Sequence, residues 1–166
     1  MKVIHPLKPI YDESSKVLIL GTMPSIKSRE EQFYYANPKN RFWSTLSKVY
    51  QEDIGCTKEE KIKFLLNHHI ALFDVLKSCD ISSSSDSSIK NPVPNDLSSI
   101  LKNSKIKTIF TTGKTAYKLY QKYCYPKTNI LAISLPSTSP AYCPKNIEEI
   151  LLTNYKQIKD KTDTFQ

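Results

Sequence analysis

Four short apolar runs, each separated from the next by segments of helical periodicity, decide what this chain can fold into. Lys16–Leu20, Ile70–Phe73, Ile106–Thr111 and Ile130–Leu135 are four to six residues long and rich in β-branched side chains. That is the signature of strands buried on both faces. Between them, Phe42, Leu46, Val49 and Tyr50 recur at helical spacing, so Arg41–Tyr50 reads as a helix. Thr57-Lys58-Glu59-Glu60 has the form of a capping box, and Ile62, Leu65, Leu66 and His69 mark one face of the helix behind it. Asp96 is placed to cap a short helix with Leu97, Ile100 and Leu101 inward. Lys114–Tyr123 presents Ala116, Leu119, Tyr120 and Tyr123 on one side, and Asn146 caps a last helix faced by Ile147, Ile150, Leu151, Tyr155 and Ile158. The tail beyond Lys159 is polar and is expected to fray.

Strands alternating with helices imply a parallel sheet covered on both faces. A length of 166 residues suits one such domain, spanning 1–166. Ligands of these sheets bind outside the carboxyl ends of the strands. Four segments therefore share the functional edge: Gly21–Trp43, Asp74, Thr111–Lys114 and Pro136–Pro140. Gly21–Trp43 is an unusually long connection for a small domain, which points to function. The polar run Asp80–Lys90 has the composition of a linker but the length of a surface loop.

Net charge is +8, with 24 basic and 16 acidic residues, which suits a polyanionic partner such as nucleic acid. Because 22 of the 24 are Lys, solubility accounts for part of it. No apolar run nears the ~20 residues needed to span a bilayer, and the start has no apolar leader. A soluble, cytoplasmic protein is expected. Cys56, Cys79, Cys124 and Cys143 are too dispersed for a metal knuckle and read as reduced thiols.

Several local patterns carry competing meanings. Thr112-Gly113-Lys114-Thr115 imitates the end of a phosphate-binding loop, but Thr108 stands where that loop needs its first glycine. His68 and His69 point to different helix faces and suit a helix end. Ser137-Thr138-Ser139 between prolines is either an ordinary turn or a rigid phosphate clamp. Asn40 is a helix cap or a group that orients water; Tyr34 and Tyr35 are core or base-stacking faces.

Taken together, Gly21-Thr22-Met23-Pro24 and Tyr34-Tyr35-Ala36-Asn37-Pro38-Lys39-Asn40-Arg41-Phe42-Trp43 resemble the first motif of the uracil-DNA glycosylase superfamily. Leu135-Pro136-Ser137-Thr138-Ser139-Pro140-Ala141 resembles its second. Asp74–Leu97 and Thr112–Tyr120 add similarity to the hypoxanthine-DNA glycosylase branch, so the resemblance runs over nearly the whole chain. It implies a three-layer α/β/α fold around a four-stranded parallel sheet. It also implies a monofunctional, monomeric enzyme that needs neither cofactor nor metal. The enzyme would flip a deaminated base out of damaged DNA and hydrolyse its glycosidic bond.

By the same resemblance Asn40 is the water-positioning catalytic residue and Tyr35 stacks on the base. Gly21, Thr22, Met23 and Pro24 shape the base pocket. Asp74, which ends the second strand on the same edge, either reads the base or assists electrostatically there, or is a helix or turn cap. Ser137, Thr138 and Ser139 hold DNA phosphate, and Tyr142 enters the gap left in the duplex. The chain departs from the pattern in five places, of which Lys39 keeps the charge of the usual Arg and Tyr142 stands where the branch often has Asn. Met23 replaces an acid or amide that activates water elsewhere in the superfamily. Asn37 stands where the branch has His, and Leu135 where uracil-specific members have His or Asn. The alternatives are a mismatch-specific uracil glycosylase and a lesion binder without turnover.

Overall fold

A computed structural model describes residues 1–82 and 88–163. Its centre is a four-stranded parallel sheet of β2 (Val17–Gly21), β3 (Ile70–Asp74), β6 (Thr108–Thr112) and β7 (Ala132–Leu135), in the order β3-β2-β6-β7. All five residues of β2 and of β3 are buried. Successive strand side chains point to opposite faces, so burial of every residue requires cover on both. That cover comes from helices, including α3 (Lys58–Asn67) beside β3, α5 (Lys114–Leu119) beside β6 and β7, and α7 (Ile147–Thr162) across β2 and β7. Helix α2 (Phe42–Tyr50) packs on α7. The expected three-layer α/β/α architecture is present.

Local chemistry explains most element boundaries. Thr57 and Glu60 form the reciprocal capping box read from the sequence, opening α3. The buried face of α3 is Phe64 and Leu65; Ile62 and Leu66 are only half-buried. His68 caps the end of α3 and bonds Glu52 at 3.1 Å. All four cysteines are free thiols. Leu97, not Asp96, occupies the N-cap position of α4 (Ser98–Lys102); Asp96 sits one residue outside it, its Oδ1 accepting the Ser98 N–H at 3.0 Å.

Four expectations are corrected. First, Asp80–Lys90 is not simply a loop. It joins β4 (Leu76–Ile81) to β5 (Ile89–Pro94), and β1 (Lys2–Ile4) completes a second, antiparallel sheet in the order β1-β4-β5. The serine-rich residues 83–87 lie outside the described ones. Second, the helix of Lys114–Tyr123 changes register at Tyr120–Cys124, a π-helical turn that runs into α6 (Tyr125–Thr128). Pro126 lacks an N–H and its ring crowds the carbonyl four residues back, so a tighter helix could not continue there. Third, Asn146 makes no side-chain cap bond to α7. Fourth, the chain does not fray at Lys159. Helix α7 runs to Thr162, which is buried and bonded to the Tyr50 hydroxyl at 2.7 Å.

The long stretch after β2 is also shorter in effect than it reads. Ile26–Glu31 forms α1, capped by Ser25, which accepts the Ser28 N–H at 3.2 Å. Ser28 is buried and does two further jobs: its carbonyl accepts the Phe33 N–H at 3.0 Å and its hydroxyl the Ala36 N–H at 3.1 Å. A single turn of helix thus fixes the segment that carries Tyr34 and Tyr35.

Candidate active site

The parallel register sets Gly21 opposite Asp74 at the carboxyl ends of β2 and β3. There is almost no room between them. A Cβ built on Gly21 would lie 2.6 Å from Asp74 Oδ1, 3.0 Å from the Tyr35 hydroxyl and 3.5 Å from Thr112 Oγ1. These three side chains therefore converge over one small residue, at the edge where parallel sheets bind ligands.

Asp74 is fixed from behind. Its Oδ2 sits 2.7 Å from His5 Nε2, with the two side chains only 3% and 5% exposed. His5 arrives through the second sheet: β1 pairs with β4, the His5 N–H donates to the Lys77 carbonyl at 2.8 Å, and Ile10 bridges to Leu72. The imidazole edge packs on Phe73 at 5.0 Å. Asn95 holds the corner between β3 and β4, its Nδ2 donating to the carbonyls of Asp74 and Leu76 at 2.9 and 3.0 Å. Neither His5 nor Asn95 stood out in the sequence. The carboxylate partner of His5 lies 69 residues away and no local pattern announces it.

The two tyrosines take different roles. Tyr34 belongs to the core, its hydroxyl donating to the Lys8 carbonyl at 2.7 Å and its own carbonyl accepting the Trp43 indole at 3.1 Å. Tyr35 belongs to the site. Its backbone is left-handed at φ 51°, a conformation that costs a bulky residue about 1–3 kcal/mol and persists only where surroundings enforce it. One ring face stacks on Phe42 at 3.9 Å and 9° between planes, and the hydroxyl meets Thr112 Oγ1 at 3.1 Å. Burial, helped by the nearby Asp74 carboxylate, holds the Tyr35 phenol well above its ordinary pKa. It is neutral at physiological pH, as a stacking surface should be.

Asn40 lies at the start of α2. Arg41 occupies the N-cap position, and Asn40 lies just outside it, its Oδ1 accepting the Phe42 N–H at 2.9 Å. An amide carbonyl has two lone pairs, and this bond uses one. Asn37 accepts the Lys39 N–H at 2.9 Å and shapes the same turn. Met23 is half-buried, Thr22 and Pro24 are buried, and the Gly21 and Thr22 carbonyls receive the N–H groups of Val75 and Leu76.

The second loop follows β7. Ser137 and Ser139 accept the N–H groups of Ser139 and Ala141 at 3.1 and 3.2 Å, which shapes the turn and leaves each hydroxyl its own proton to donate. Thr138 is 2% exposed and points inward. Tyr155 supports the loop from below with a 2.6 Å bond to the Pro136 carbonyl. Tyr142 is 41% exposed just beyond. At the neighbouring strand end, the Gly113 N–H donates to the Leu135 carbonyl at 2.8 Å, so that turn ties strands together and is no phosphate loop.

Arg41 joins the two loops, a role the sequence reading did not give it. Its N–H donates to the Thr138 carbonyl at 3.0 Å, and its guanidinium reaches the carbonyls of Ser139 and Tyr142 at 3.4 Å and Cys143 Sγ at 3.2 Å. Arg41→Ala therefore frees the loop carrying Ser137, Ser139 and Tyr142. Duplex affinity should fall about tenfold, while the thermal midpoint drops by only a few degrees, read by fluorescence anisotropy and thermal melting.

The arrangement is that of a glycosylase fold, and the comparisons agree. The profile of the uracil DNA glycosylase superfamily matches residues 9–158. A protein of Methanosarcina acetivorans called hypoxanthine DNA glycosylase is 35% identical over 109 residues, covering 64% of this chain and 69% of that one. Its namesake from Methanosarcina barkeri is 32% identical over 109 residues, covering 64% and 68%. A solution NMR structure from Methanosarcina acetivorans, described as a candidate uracil DNA glycosylase, superposes with a TM-score of 0.79 at 29% identity, over 96% of this chain and 99% of that one. This chain belongs to the uracil DNA glycosylase superfamily. It is accordingly a DNA glycosylase, an enzyme whose substrate is damaged DNA. Among the described residues no helix is long and apolar enough to cross a membrane.

Proposed function

We propose that this enzyme excises hypoxanthine from deaminated DNA as a monomeric, monofunctional hydrolase, leaving an abasic site. The observation that carries the reading is the convergence of Tyr35, Asp74 and Gly21 at the sheet's carboxyl edge, beside the loop of Ser137, Ser139 and Tyr142. Two relatives named hypoxanthine DNA glycosylases support the choice of base.

The nucleotide rotates out of the duplex at a cost of a few kcal/mol, least for a mispaired base. Ser137 and Ser139 donate to phosphate, and Tyr142 fills the vacated stack. The base slides over the free face of Tyr35, whose other face is backed by Phe42. Gly21, Thr22, Met23 and Pro24 form the adjoining wall; the absence of a side chain at Gly21 makes room for Asp74 Oδ1 and the Tyr35 hydroxyl, which meet the base. As the C1′–N9 bond lengthens, its electron pair moves to the base and positive charge develops on the sugar. Water held by the second lone pair of Asn40 Oδ1 attacks C1′ and releases its proton to solvent. Asn40 contributes by positioning and by its fixed dipole, since an amide is no base at neutral pH. Thr138, although in the same loop, serves through its carbonyl bond to Arg41.

The test is a panel of duplexes carrying hypoxanthine, uracil opposite guanine, or xanthine, with abasic sites revealed by alkali under single-turnover conditions. Hypoxanthine should be released fastest. The description of the NMR relative as a candidate uracil DNA glycosylase favours a second reading, mismatch-specific uracil excision. Faster release of uracil would establish it. Met23, which supplies no acid or amide, weighs against it.

A further inference from the structure

The buried pair of His5 and Asp74 has a geometry that ordinary packing does not ask for. The carboxylate is nearly sealed, yet only Oδ2 has a hydrogen-bond partner among the described residues, His5 Nε2 at 2.7 Å. Oδ1 is turned to the space over Gly21, beside the Tyr35 hydroxyl. His5 is itself held: Nδ1 lies 3.0 Å from the Leu7 carbonyl and 3.2 Å from the Leu7 N–H. Facing a carboxylate oxygen, which can only accept, Nε2 is the donor to Oδ2, and Oδ1 is left as a pure acceptor.

An acceptor at that place reads one feature of a base. Hydrolytic deamination of adenine converts N1 from a lone-pair acceptor to an N–H donor; deamination of cytosine does the same at N3. A fixed carboxylate oxygen accepts that new proton and repels the lone pair of the parent base. Building a site around a hydrogen bond rejects an analogue that cannot make it, because the buried partner is then left unpaired. We propose that His5 is a positioning residue that holds Asp74 as the acceptor which recognises the ring N–H created by deamination. This rests on the excision reading above and extends it to specificity. The superfamily match begins at residue 9, so His5 lies outside it.

The experiment compares the full chain with His5→Leu, His5→Gln and Asp74→Asn. Substrates are two duplexes alike except for the target base: hypoxanthine, or unsubstituted purine, which has a lone pair at N1. The quantity read is the ratio of the two single-turnover rates, in which differences in leaving group and in overall folding cancel between variants. His5→Leu and Asp74→Asn should lower that ratio by at least about tenfold. His5→Gln, whose amide N–H replaces Nε2–H, should keep it within about threefold of the unmodified protein. A merely structural His5 would slow both substrates alike, and a ratio unchanged to within about twofold in His5→Leu overturns the proposal.

A second measurement does not depend on that variant folding. In the unmodified protein the imidazole Nε2–H resonance of His5 should shift on binding a hypoxanthine duplex made uncleavable by a 2′-fluoro sugar, and not on binding the purine duplex. No difference between the two overturns the proposal. Failure of the unmodified protein to release either base counts against the excision reading, and the resonance then decides the role of His5 separately.

Discussion

Asn40→Ala should lower the single-turnover rate of base release about a hundredfold while changing duplex affinity little, because the proposed mechanism gives that group the positioning of water and no grip on DNA. The structure complicates this residue in a useful way. Asn40 Oδ1 also accepts the Phe42 N–H at 2.9 Å, so alanine leaves the first N–H of α2 without its partner, at a cost of about 1 kcal/mol. Asn40→Ser separates the two roles. A serine hydroxyl can accept the same N–H, so it should restore the thermal midpoint; its short side chain cannot hold water over the sugar, so the rate should stay low. Recovery of both stability and rate in the serine variant would reduce Asn40 to a backbone acceptor and move the chemistry elsewhere.

Gly21→Ala should be as damaging by a different route. The backbone at Gly21 is not left-handed, so alanine meets no conformational penalty. The cost is contact: its Cβ would sit 2.6 Å from Asp74 Oδ1 and 3.0 Å from the Tyr35 hydroxyl. A flexible neighbour would give way, but Asp74 is tied to His5 at 2.7 Å and Tyr35 is stacked on Phe42. Overpacking of a tight site typically costs about 1–3 kcal/mol of stability. The larger loss should be in base release, about a hundredfold, since a 1 Å displacement of the pocket suffices for that. Rates within a factor of about two of the unmodified protein would show that the base does not approach here.

Much of the fold was legible because buried parallel strands announce themselves. Val17–Leu20, Ile70–Phe73 and the segments around Ile109 and Ile133 are apolar runs that few other architectures accommodate, and their boundaries moved by at most two residues. The second sheet was not legible. β5 contains two prolines and exposed polar residues, and its pairing with β4 is irregular, so neither alternation nor an apolar run marks it. That miss concealed the most informative contact in the site. His5 reaches Asp74 only because β1 joins that sheet, and a pairing across 69 residues leaves no trace in local pattern. Asp74 itself was visible as the polar residue closing a buried strand. Tyr35 and Asn40 were visible through resemblance, while their neighbours Tyr34 and Arg41 had to be sorted by geometry: one into the core, the other into a strap between loops.

The segment Gly21–Trp43 likewise resolves into parts with separate physics. Gly21 makes room, α1 supplies Ser28 to pin the turn, Tyr35 is held in a left-handed conformation against Phe42, and Asn40 precedes α2. None of these alone implies catalysis. Their convergence at one sheet edge does, and the central claim is that this edge releases a deaminated base.

The most direct measurement places a single hypoxanthine at a defined position in a labelled duplex, mixes it with excess purified protein, and follows alkali-labile breaks over time. The account predicts breaks at that position alone, at a rate exceeding those for uracil and xanthine in the same context. Tight binding with every duplex left intact would contradict it.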